Sequence, residues 1–299
     1  MRLLLLIGTL ATILTSGQLA ADDGNIQVAM RSKTSPIVPA SLNIWQQLDP
    51  KKLSLRSASA LVVDQLGNTV YAKGADKPRP IASITKLMTA MVTLDAKLPL
   101  QEKLTINKAD RDKQKLTGSR LKYGATLTRS EMIRLALMAS ENRAAFALGR
   151  TYPGGTKAFV KAMNEKARTL GMHSSHFRDP AGLNPGNVAS ARDLAKMVRA
   201  AEHYPLIRTA TTTRSMTVYP WKGRGPLRYV NTNRLLKNKS WTIQLSKTGY
   251  INEAGRCLTM QAEIAQRPLV IVLLNSFGKL TPMGDSNRIR KWIENGSRS

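Results

Sequence analysis

Three groups of polar residues in this 299-residue chain have the side chains that nucleophilic catalysis requires. Ser83 precedes Lys86 by three positions, the triplet Ser-Glu-Asn follows at 140–142, and Lys-Thr-Gly stands at 247–249. A lysine one helical turn after a serine lies on the same helix face. It can accept the serine proton if burial or a neighbouring cation such as Lys247 lowers the lysine pKa. In this order and at these spacings, the three groups are typical of serine acyl transfer.

The setting of Ser83 distinguishes it from two other serines that have a lysine three positions later. The apolar run at 84–94 lacks glycine and proline and predicts a helix that begins at Ser83. Free backbone N–H groups and the positive end of the helix dipole can stabilise negative charge there. Ser119 is soon followed by Tyr-Gly at 123–124 and begins no helix, and the pattern at Ser276 contains a glycine in a turn. Ser83 is therefore the predicted nucleophile, and the alternative is an N-capping serine beside a solvated lysine.

The triplet at 140–142 interrupts an otherwise apolar helical run, which indicates a functional break facing a cleft. Ser140 could relay a proton to a leaving amine, and Asn142 could hold Lys86 and a substrate amide. The alternative is a polar patch on the surface of a helix.

The third group, at 247–249, ends a predicted strand that begins near Thr242. Lys247 can bind a carboxylate, the Thr248 hydroxyl can add a hydrogen bond, and Gly249 leaves room for a ligand along the strand edge. By itself, this triplet could be any strand terminus.

The N-terminus and the charge indicate export into anionic surroundings. Residues 1–21, with an apolar run at 3–14, are typical of a secretory signal peptide, and the run is shorter than the roughly 20 residues of a spanning helix. Residues 22–50 are predicted to be an N-terminal extension whose end packs on the domain through Ile44 and Trp45. The net charge of +27 fits an anionic envelope surface or cell-wall polymer, whereas export and an aromatic content of 5% argue against nucleic acid.

Cys257 is the only cysteine, so an intramolecular disulfide is excluded. Its position in a β-prone run predicts a small buried hydrophobe rather than a catalytic thiol.

The order of the predicted elements indicates an α+β fold in which the three groups can meet. Two β-prone runs at 58–64 and 69–72 flank a Gly-Asn turn and predict a hairpin, and a long helical region extends from 83 to about 210. Helical patterns lie at 130–148, at 158–170, after Ser190 and near 286–294, and further strands are predicted at 215–219, 242–246, 257–264 and 269–274. Both chain ends thus build the sheet, and the helices form an inserted lobe with a cleft between lobe and sheet. We expect residues 51–299 to form this domain.

Longer stretches around the three groups resemble a known family. They lie at 79–90, 138–145, 177–183 and 245–250. Together they resemble the low-molecular-mass penicillin-binding proteins, which are serine D-alanyl-D-alanine peptidases, over roughly residues 45–295. Within that family, Glu141 and the segment 251–257 are similar to the penicillin-binding protein 7 type, the D-alanyl-D-alanine endopeptidases.

The resemblance implies a DD-peptidase/β-lactamase-like fold, with an antiparallel sheet flanked by helices. It implies that Ser83 is the acyl-enzyme nucleophile, Lys86 the proton acceptor and Ser140 the proton relay. Water then hydrolyses the acyl-enzyme, and no metal or cofactor is expected. The backbone N–H groups of Ser83 and Tyr250 would form the oxyanion hole. The resemblance further implies a group of substrate-binding residues, which comprises Asn142, Lys247, Thr248, Gly249 and Tyr250.

The resemblance also implies the activity of a periplasmic enzyme that hydrolyses peptide cross-links in peptidoglycan and is inhibited by β-lactams such as penicillin. The alternatives are a D-alanyl-D-alanine carboxypeptidase of the same family and a non-catalytic, basic cell-wall-binding protein. A class A β-lactamase would carry a Glu-x-x-x-Asn pattern between the second and third groups, and residues 142–247 lack one.

Membrane attachment is expected to be loose at most. Only 50 residues follow Gly249, which is too few for the second β-domain and the amphipathic anchor of membrane-bound carboxypeptidases. The apolar residues at 288–293 are predicted to pack on the sheet rather than on a membrane.

Overall fold

Both runs of the predicted hairpin form strands in the computed structural model, which describes residues 45–296. Strand β1 spans Ser59–Asp64 and β2 spans Thr69–Lys73, and the two strands pair antiparallel. The carboxylate of Asp64 accepts hydrogen bonds from the backbone N–H groups of Leu66 and Asn68 in the connecting turn. Aspartate favours turns because its side chain can bond to nearby backbone in this way.

The middle of the chain is mostly helical, as predicted, but short strands pair between the helices. The helices are α1 Thr85–Asp95, α2 Arg129–Met138, α3 Asn142–Arg150, α4 Gly155–Thr169, α5 Ala191–Glu202 and α6 Pro205–Thr212. The short strands form three antiparallel pairs, which are β3 Arg79–Pro80 with β6 Val188–Ala189, β4 Lys103–Thr105 with β5 Thr126–Thr128, and β7 Ser215–Val218 with β8 Leu227–Val230. The continuous helical pattern at 130–148 forms two helices, and the break between them falls at the Ser-Glu-Asn triplet.

Three long strands near the C-terminus complete the main sheet. They are β9 Thr242–Ile251, β10 Gly255–Ile264 and β11 Arg267–Ser276. The five strands are antiparallel in the order β2-β1-β11-β10-β9, so the prediction that both chain ends build the sheet is confirmed. The chain then forms α7, Thr281–Gly296, which begins five residues before the predicted start.

Side chains that alternate along the strands divide the core into two layers. Leu61 of β1 packs in the layer under the inserted helices, whereas its neighbour Val62 packs in the layer under α7. The α7 side chains of Ile289, Trp292 and Ile293 are buried in that second layer, as predicted. The helical lobe and α7 therefore cover opposite faces of one sheet, which holds its strands in fixed positions.

The start of the described chain packs against the same sheet. Trp45 is buried with α7, as predicted, and its indole Nε1 donates to Asp64. Ile44, the predicted signal peptide at 1–21 and most of the predicted extension at 22–50 lie outside the described residues.

Cys257 is buried in β10, where burial raises the pKa of its thiol to about 11, as expected for a structural residue. None of the helices within residues 45–296 has the length and apolar character that crossing a membrane requires.

Candidate active site

Ser83 and Lys86 lie together where α1 begins. Ser83 is in a single 3-10 turn, Ala82–Ile84, that leads directly into α1, and Lys86 is in the first turn of that helix. The Lys86 Nζ donates to Ser83 Oγ at 2.8 Å, to Asn142 Oδ1 at 2.8 Å and to the Ala181 carbonyl at 2.7 Å. The serine is therefore in direct contact with a basic group, which is the contact that serine activation requires.

Burial sets the protonation of the two lysines in this region. The Lys86 side chain is fully buried, and burial lowers its pKa from 10.5 to about 7, although three carboxylates at a greater distance act in the opposite direction. Burial also lowers the pKa of Lys247 well below its ordinary value, and the charge of Lys86 lowers it further. The sequence left burial and a neighbouring cation open as causes for Lys86, and burial is the cause that lowers its pKa. Near neutral pH, Lys86 can thus accept a proton.

A loop at 179–187 supplies the third acceptor for Lys86. One Asp179 oxygen accepts the backbone N–H groups of Ala181 and Gly182, and Asn187 bonds both to this loop and to the Thr85 hydroxyl of α1. Gly182 has a φ of +78°, and a Cβ there would lie 1.9 Å from the Ala82 carbonyl oxygen. Only glycine lets the loop approach the turn of Ser83 this closely.

The break between α2 and α3 places Ser140 opposite this turn. Ser140 has a φ of +59°, a left-handed conformation that ends α2 before α3 begins. Lys247 Nζ donates to Ser140 Oγ at 3.0 Å. Glu141 caps α3 by accepting the Arg143 N–H, and it also accepts the hydroxyl of Ser119 at 2.7 Å. The break is thus held by its own side chains and is not a polar patch on a continuous helix.

Strand β9 forms the other wall of the site. Lys247 is buried, and the Thr248 hydroxyl donates to Thr232 Oγ1 at 2.7 Å. A Cβ at Gly249 would lie 2.9 Å from the Ile81 carbonyl oxygen and 3.1 Å from the Ser83 nitrogen, so glycine brings the strand close to the nucleophile turn. The expectation that the strand ends at this triplet is wrong, because β9 continues to Ile251 and is paired with β10 up to that residue.

All eight predicted residues meet at one cleft, whose volume is about 780 Å³. Lys86 and Lys247 lie buried behind its wall, and Tyr250 is 49% exposed with the Arg256 guanidinium stacked 3.8 Å from its ring centre. The predicted residues that line the cleft itself are Ser83, Ser140, Asn142, Thr248, Gly249 and Tyr250. A cleft in which a buried lysine lies against a serine fits acyl transfer.

Comparison with known proteins agrees with this geometry. The family described as D-alanyl-D-alanine carboxypeptidase, peptidase family S11, matches residues 46–278. This chain belongs to that family. It is 45% identical to a D-alanyl-D-alanine endopeptidase of Pseudomonas aeruginosa, over 91% of this chain and 86% of that protein. It is 47% identical to a D-alanyl-D-alanine endopeptidase of Escherichia coli K12, over 81% of this chain and 78% of that protein.

Solved structures of this kind confirm the predicted fold class. The Streptomyces K15 DD-transpeptidase superimposes on this protein with a TM-score of 0.75 and 28% sequence identity. The match covers 80% of this chain and 97% of the Streptomyces chain. A D-alanyl-D-alanine carboxypeptidase of Mycobacterium tuberculosis gives a TM-score of 0.72, also at 28% identity, over 80% and 91% of the two chains. The protein is therefore a serine hydrolase with the α+β DD-peptidase fold.

Sequence reasoning missed several groups that position the site of this S11 peptidase. The carbonyl of Ala181 and the carboxylate of Asp179 lie in a stretch that was noted for its resemblance and given no role. Thr117, which accepts from Asn142 Nδ2 at 2.9 Å, and Thr232 lie in irregular segments with no motif. Only the glycine at 182 carried a signal, since a glycine beside aspartate and proline favours a tight turn.

The two other serines with a following lysine have structural partners in the S11 chain. Ser119 donates to Glu141, as described above, and Ser276 is fully buried with its hydroxyl 2.7 Å from that of Ser57. Ser83 alone of these three has a lysine within hydrogen-bond distance among the contacts of residues 45–296. Within the same residues, no group of three or more His, Cys, Asp and Glu side chains is arranged to hold a metal ion.

Proposed function

We propose that this chain is a periplasmic serine D-alanyl-D-alanine endopeptidase, which hydrolyses peptide cross-links in peptidoglycan through an acyl-enzyme and is inhibited by penicillin. The observation that carries the proposal is the 2.8 Å hydrogen bond between Lys86 Nζ and Ser83 Oγ, made by a buried lysine whose pKa is lowered to about 7. The names of the Pseudomonas aeruginosa and Escherichia coli relatives support the endopeptidase activity.

Acylation begins when Ser83 Oγ attacks the carbonyl carbon of a D-alanyl residue and its proton passes to neutral Lys86. The C–N bond then breaks, and the leaving amine takes a proton. Ser140 is suited to deliver it, because its oxygen accepts a hydrogen bond from Lys247 and its own proton remains free for the leaving nitrogen. Lys247 can restore that proton to Ser140, and the proton that Lys86 took from Ser83 then replaces the one that Lys247 gave up, which leaves Lys86 neutral for deacylation.

Binding groups surround the reacting carbonyl in this proposal. The backbone N–H groups of Ser83 and Tyr250 stabilise the oxyanion, which is consistent with the close approach of β9 to the Ser83 nitrogen at Gly249. Lys247 and the Thr248 hydroxyl bind the carboxylate of the substrate. Asn142 orients Lys86 through its Oδ1. Water then attacks the ester carbonyl and gives up a proton to neutral Lys86, which passes it to Ser83 Oγ as the ester C–O bond breaks and the peptide acid leaves.

A labelled penicillin tests the nucleophile assignment. We expect the purified protein to bind the label covalently and Ser83→Ala to abolish labelling, because the other two oxygens that accept from Lys86 belong to an amide and a backbone carbonyl, which are not nucleophiles. Ser119→Ala is the matched control, since Ser119 also precedes a lysine by three positions and should leave labelling intact. Labelling that survives in Ser83→Ala would show that the nucleophile is another residue.

Carboxypeptidase activity is the second candidate, because the family description names that reaction. The two reactions cleave after the same D-alanyl carbonyl and differ in the leaving group, which is a second peptide strand or a single D-alanine. Rates on cross-linked muropeptide dimers and on pentapeptide monomers separate them, and we expect the dimers to be cleaved faster. Sedimentation with peptidoglycan without any release of peptides would instead support the non-catalytic, wall-binding alternative.

The location follows from the predicted signal at 1–21 and from the substrate. We propose that the mature protein is released into the periplasm, where its positive charge favours weak retention on the anionic wall. Cell fractionation followed by penicillin labelling tests this, and label in the cytoplasmic fraction would contradict it.

A further inference from the structure

The cleft of this protein extends well beyond Ser83 and is cationic along that extension. From the catalytic residues it continues past Thr248 to the segment at 230–237 and to the start of α7. Five of its lining side chains are cationic, and the described residues that line it include no aspartate and no glutamate. The cations are Lys115, Arg234, Lys237, Arg256 and Lys279.

Four of these cations have no carboxylate partner in the described chain. Lys115 is paired with Glu253, and Arg256 stacks on Tyr250. The ion pairs and hydrogen bonds of residues 45–296 include none made by the side chains of Arg234, Lys237 or Lys279, which are exposed. Charges that are neither paired nor placed near an acid create a positive potential in the cleft, and such a potential attracts an anionic ligand.

We propose that Arg234, Lys237 and Lys279, with Arg256, form an accessory subsite for an acidic peptide, which is the strand that leaves when a cross-link is cut. This inference rests on the proposed function and names the part of the substrate that the cationic extension binds. A carboxypeptidase substrate ends at one D-alanine, whose single carboxylate is bound by Lys247 and Thr248. A cross-linked substrate continues as a second peptide with further carboxylates, and the extension is where those carboxylates can lie.

The subsite acts on specificity and not on the chemical step. Its cations lie outside the hydrogen bonds that join Ser83, Lys86, Ser140 and Lys247. Long-range attraction between exposed charges raises the association rate and weakens as salt increases, because screening shortens its reach to about 8 Å at physiological ionic strength. The preference for the cross-linked substrate should therefore be greatest at low salt.

The experiment compares two substrates on the full protein. The double variant Arg234→Ala, Lys237→Ala should lower kcat/KM on a cross-linked muropeptide dimer by about tenfold at low salt, as expected when two ionic contacts of roughly 0.7 kcal/mol each are lost. It should change kcat/KM on a pentapeptide monomer by less than about twofold, and the rate of penicillin acylation should be unchanged. The matched control is Lys51→Ala, Lys52→Ala, which removes two exposed charges from a turn outside the cleft and should affect neither substrate.

A chemically modified substrate isolates the charge. A dimer whose leaving-strand carboxylates are converted to amides, except for the one next to the scissile bond that Lys247 and Thr248 bind, should be cut by wild-type protein at the slower rate of the double variant, and the two proteins should no longer differ. Equal losses on dimer and monomer, or a full difference on the amidated dimer, would overturn the subsite. Failure of the proposed function would look different, because wild-type protein would then neither bind penicillin nor cleave either peptide.

Discussion

At the scale of single residues, Lys86 decides what the site can do. All three of its acceptors are neutral oxygens, which come from a hydroxyl, an amide and a backbone carbonyl. These oxygens accept hydrogen bonds from the ammonium group, and no carboxylate is in contact with it. The lowering of the pKa by burial is therefore not offset by a close ion pair. That balance keeps the pKa near 7 and gives the lysine both a proton-accepting and a proton-donating form in the neutral range.

The rate of acylation should follow this pKa. We expect the second-order rate constant for penicillin acylation to rise with pH through about 7, because only neutral Lys86 accepts the Ser83 proton. At higher pH it should fall again, and the fall should begin below pH 10.5, because Lys247 loses its charge early. Stopped-flow measurement between pH 5 and 10 checks both limbs.

The melting temperature should be measured over the same pH range, so that a change in acylation rate is not mistaken for unfolding. The unfolded chain holds a proton on this lysine up to about 10.5 and the folded chain only up to about 7, so this residue makes the folded state more stable as pH rises between those values. An acylation rate that does not change between pH 5.5 and 8 would contradict the role given to Lys86.

At the scale of elements, the site depends on how closely a turn, a loop and a strand approach one another. The 3-10 turn of Ser83 is enclosed by the loop at 179–187 and by β9, and a glycine allows each approach. Gly182 lies against the Ala82 carbonyl, and Gly249 lies against Ile81 and Ser83. The elements are therefore in backbone contact at the nucleophile, with no side chain between them.

Gly182→Ala should disturb the site strongly. The new Cβ overlaps the Ala82 oxygen, so the loop must move, and Ala181 then withdraws its carbonyl from Lys86. We expect a loss of about 3 kcal/mol in the free energy of unfolding, from the strained φ and the overlap together, and at least a tenfold slower acylation. Urea unfolding and penicillin labelling measure the two effects.

Gly171→Ala is the matched control for backbone strain. Gly171 also has a positive φ, of 67°, but a Cβ there would meet only side-chain atoms at 3.7 and 3.9 Å. It should cost about 1 kcal/mol and leave acylation unchanged. Equal losses in the two variants would mean that contact with Ala82 does not matter.

The sequence predicted the helices and long strands better than the contacts between distant segments. Turn residues and apolar runs were sufficient for the hairpin, for α1 and for the break at Ser140, because those signals are local. The end of β9 and the short strands other than β7, which was predicted, depend on pairing with other segments, so local patterns did not indicate them. Thr117, Thr232 and the Ala181 carbonyl reach the site only through folding, and a backbone carbonyl has no side-chain signature at all.

At the scale of the whole molecule, a buried acid of α7 joins this last described helix to the segment that precedes β1. Asp285 of α7 is fully buried and accepts the backbone N–H groups of Arg56 and Ser57 at 3.1 and 2.7 Å. It also accepts the Ser57 hydroxyl and pairs with Arg288. The segment that leads into β1 is thus fixed to the last helix, on the face of the sheet opposite Ser83.

Asp285→Ala should destabilise the protein without changing its chemistry. Two backbone N–H groups lose their acceptor, the one of Ser57 in a buried setting, so we expect the free energy of unfolding to fall by about 2–4 kcal/mol. Below the melting temperature, the rate of penicillin acylation should remain at the wild-type value.

Arg288→Ala separates the ion pair from the backbone contacts. It removes only a partly exposed partner, so it should cost less than about 1 kcal/mol. If Arg288→Ala lowers the free energy of unfolding as much as Asp285→Ala does, the stabilisation comes from the ion pair and not from the hydrogen bonds to the backbone of Arg56 and Ser57.

The sheet that both chain ends share also sets when the enzyme can begin to work. β1 emerges early in synthesis, but its pairing partner β11 ends at Ser276, so closing the sheet requires a loop of about 200 residues. β9, which carries Lys247, pairs with β10 and cannot take its place before that strand exists. A nascent chain therefore has its nucleophile long before it has a cleft, and a hydrolase that could damage the wall stays inactive until β10 and β11 have been made.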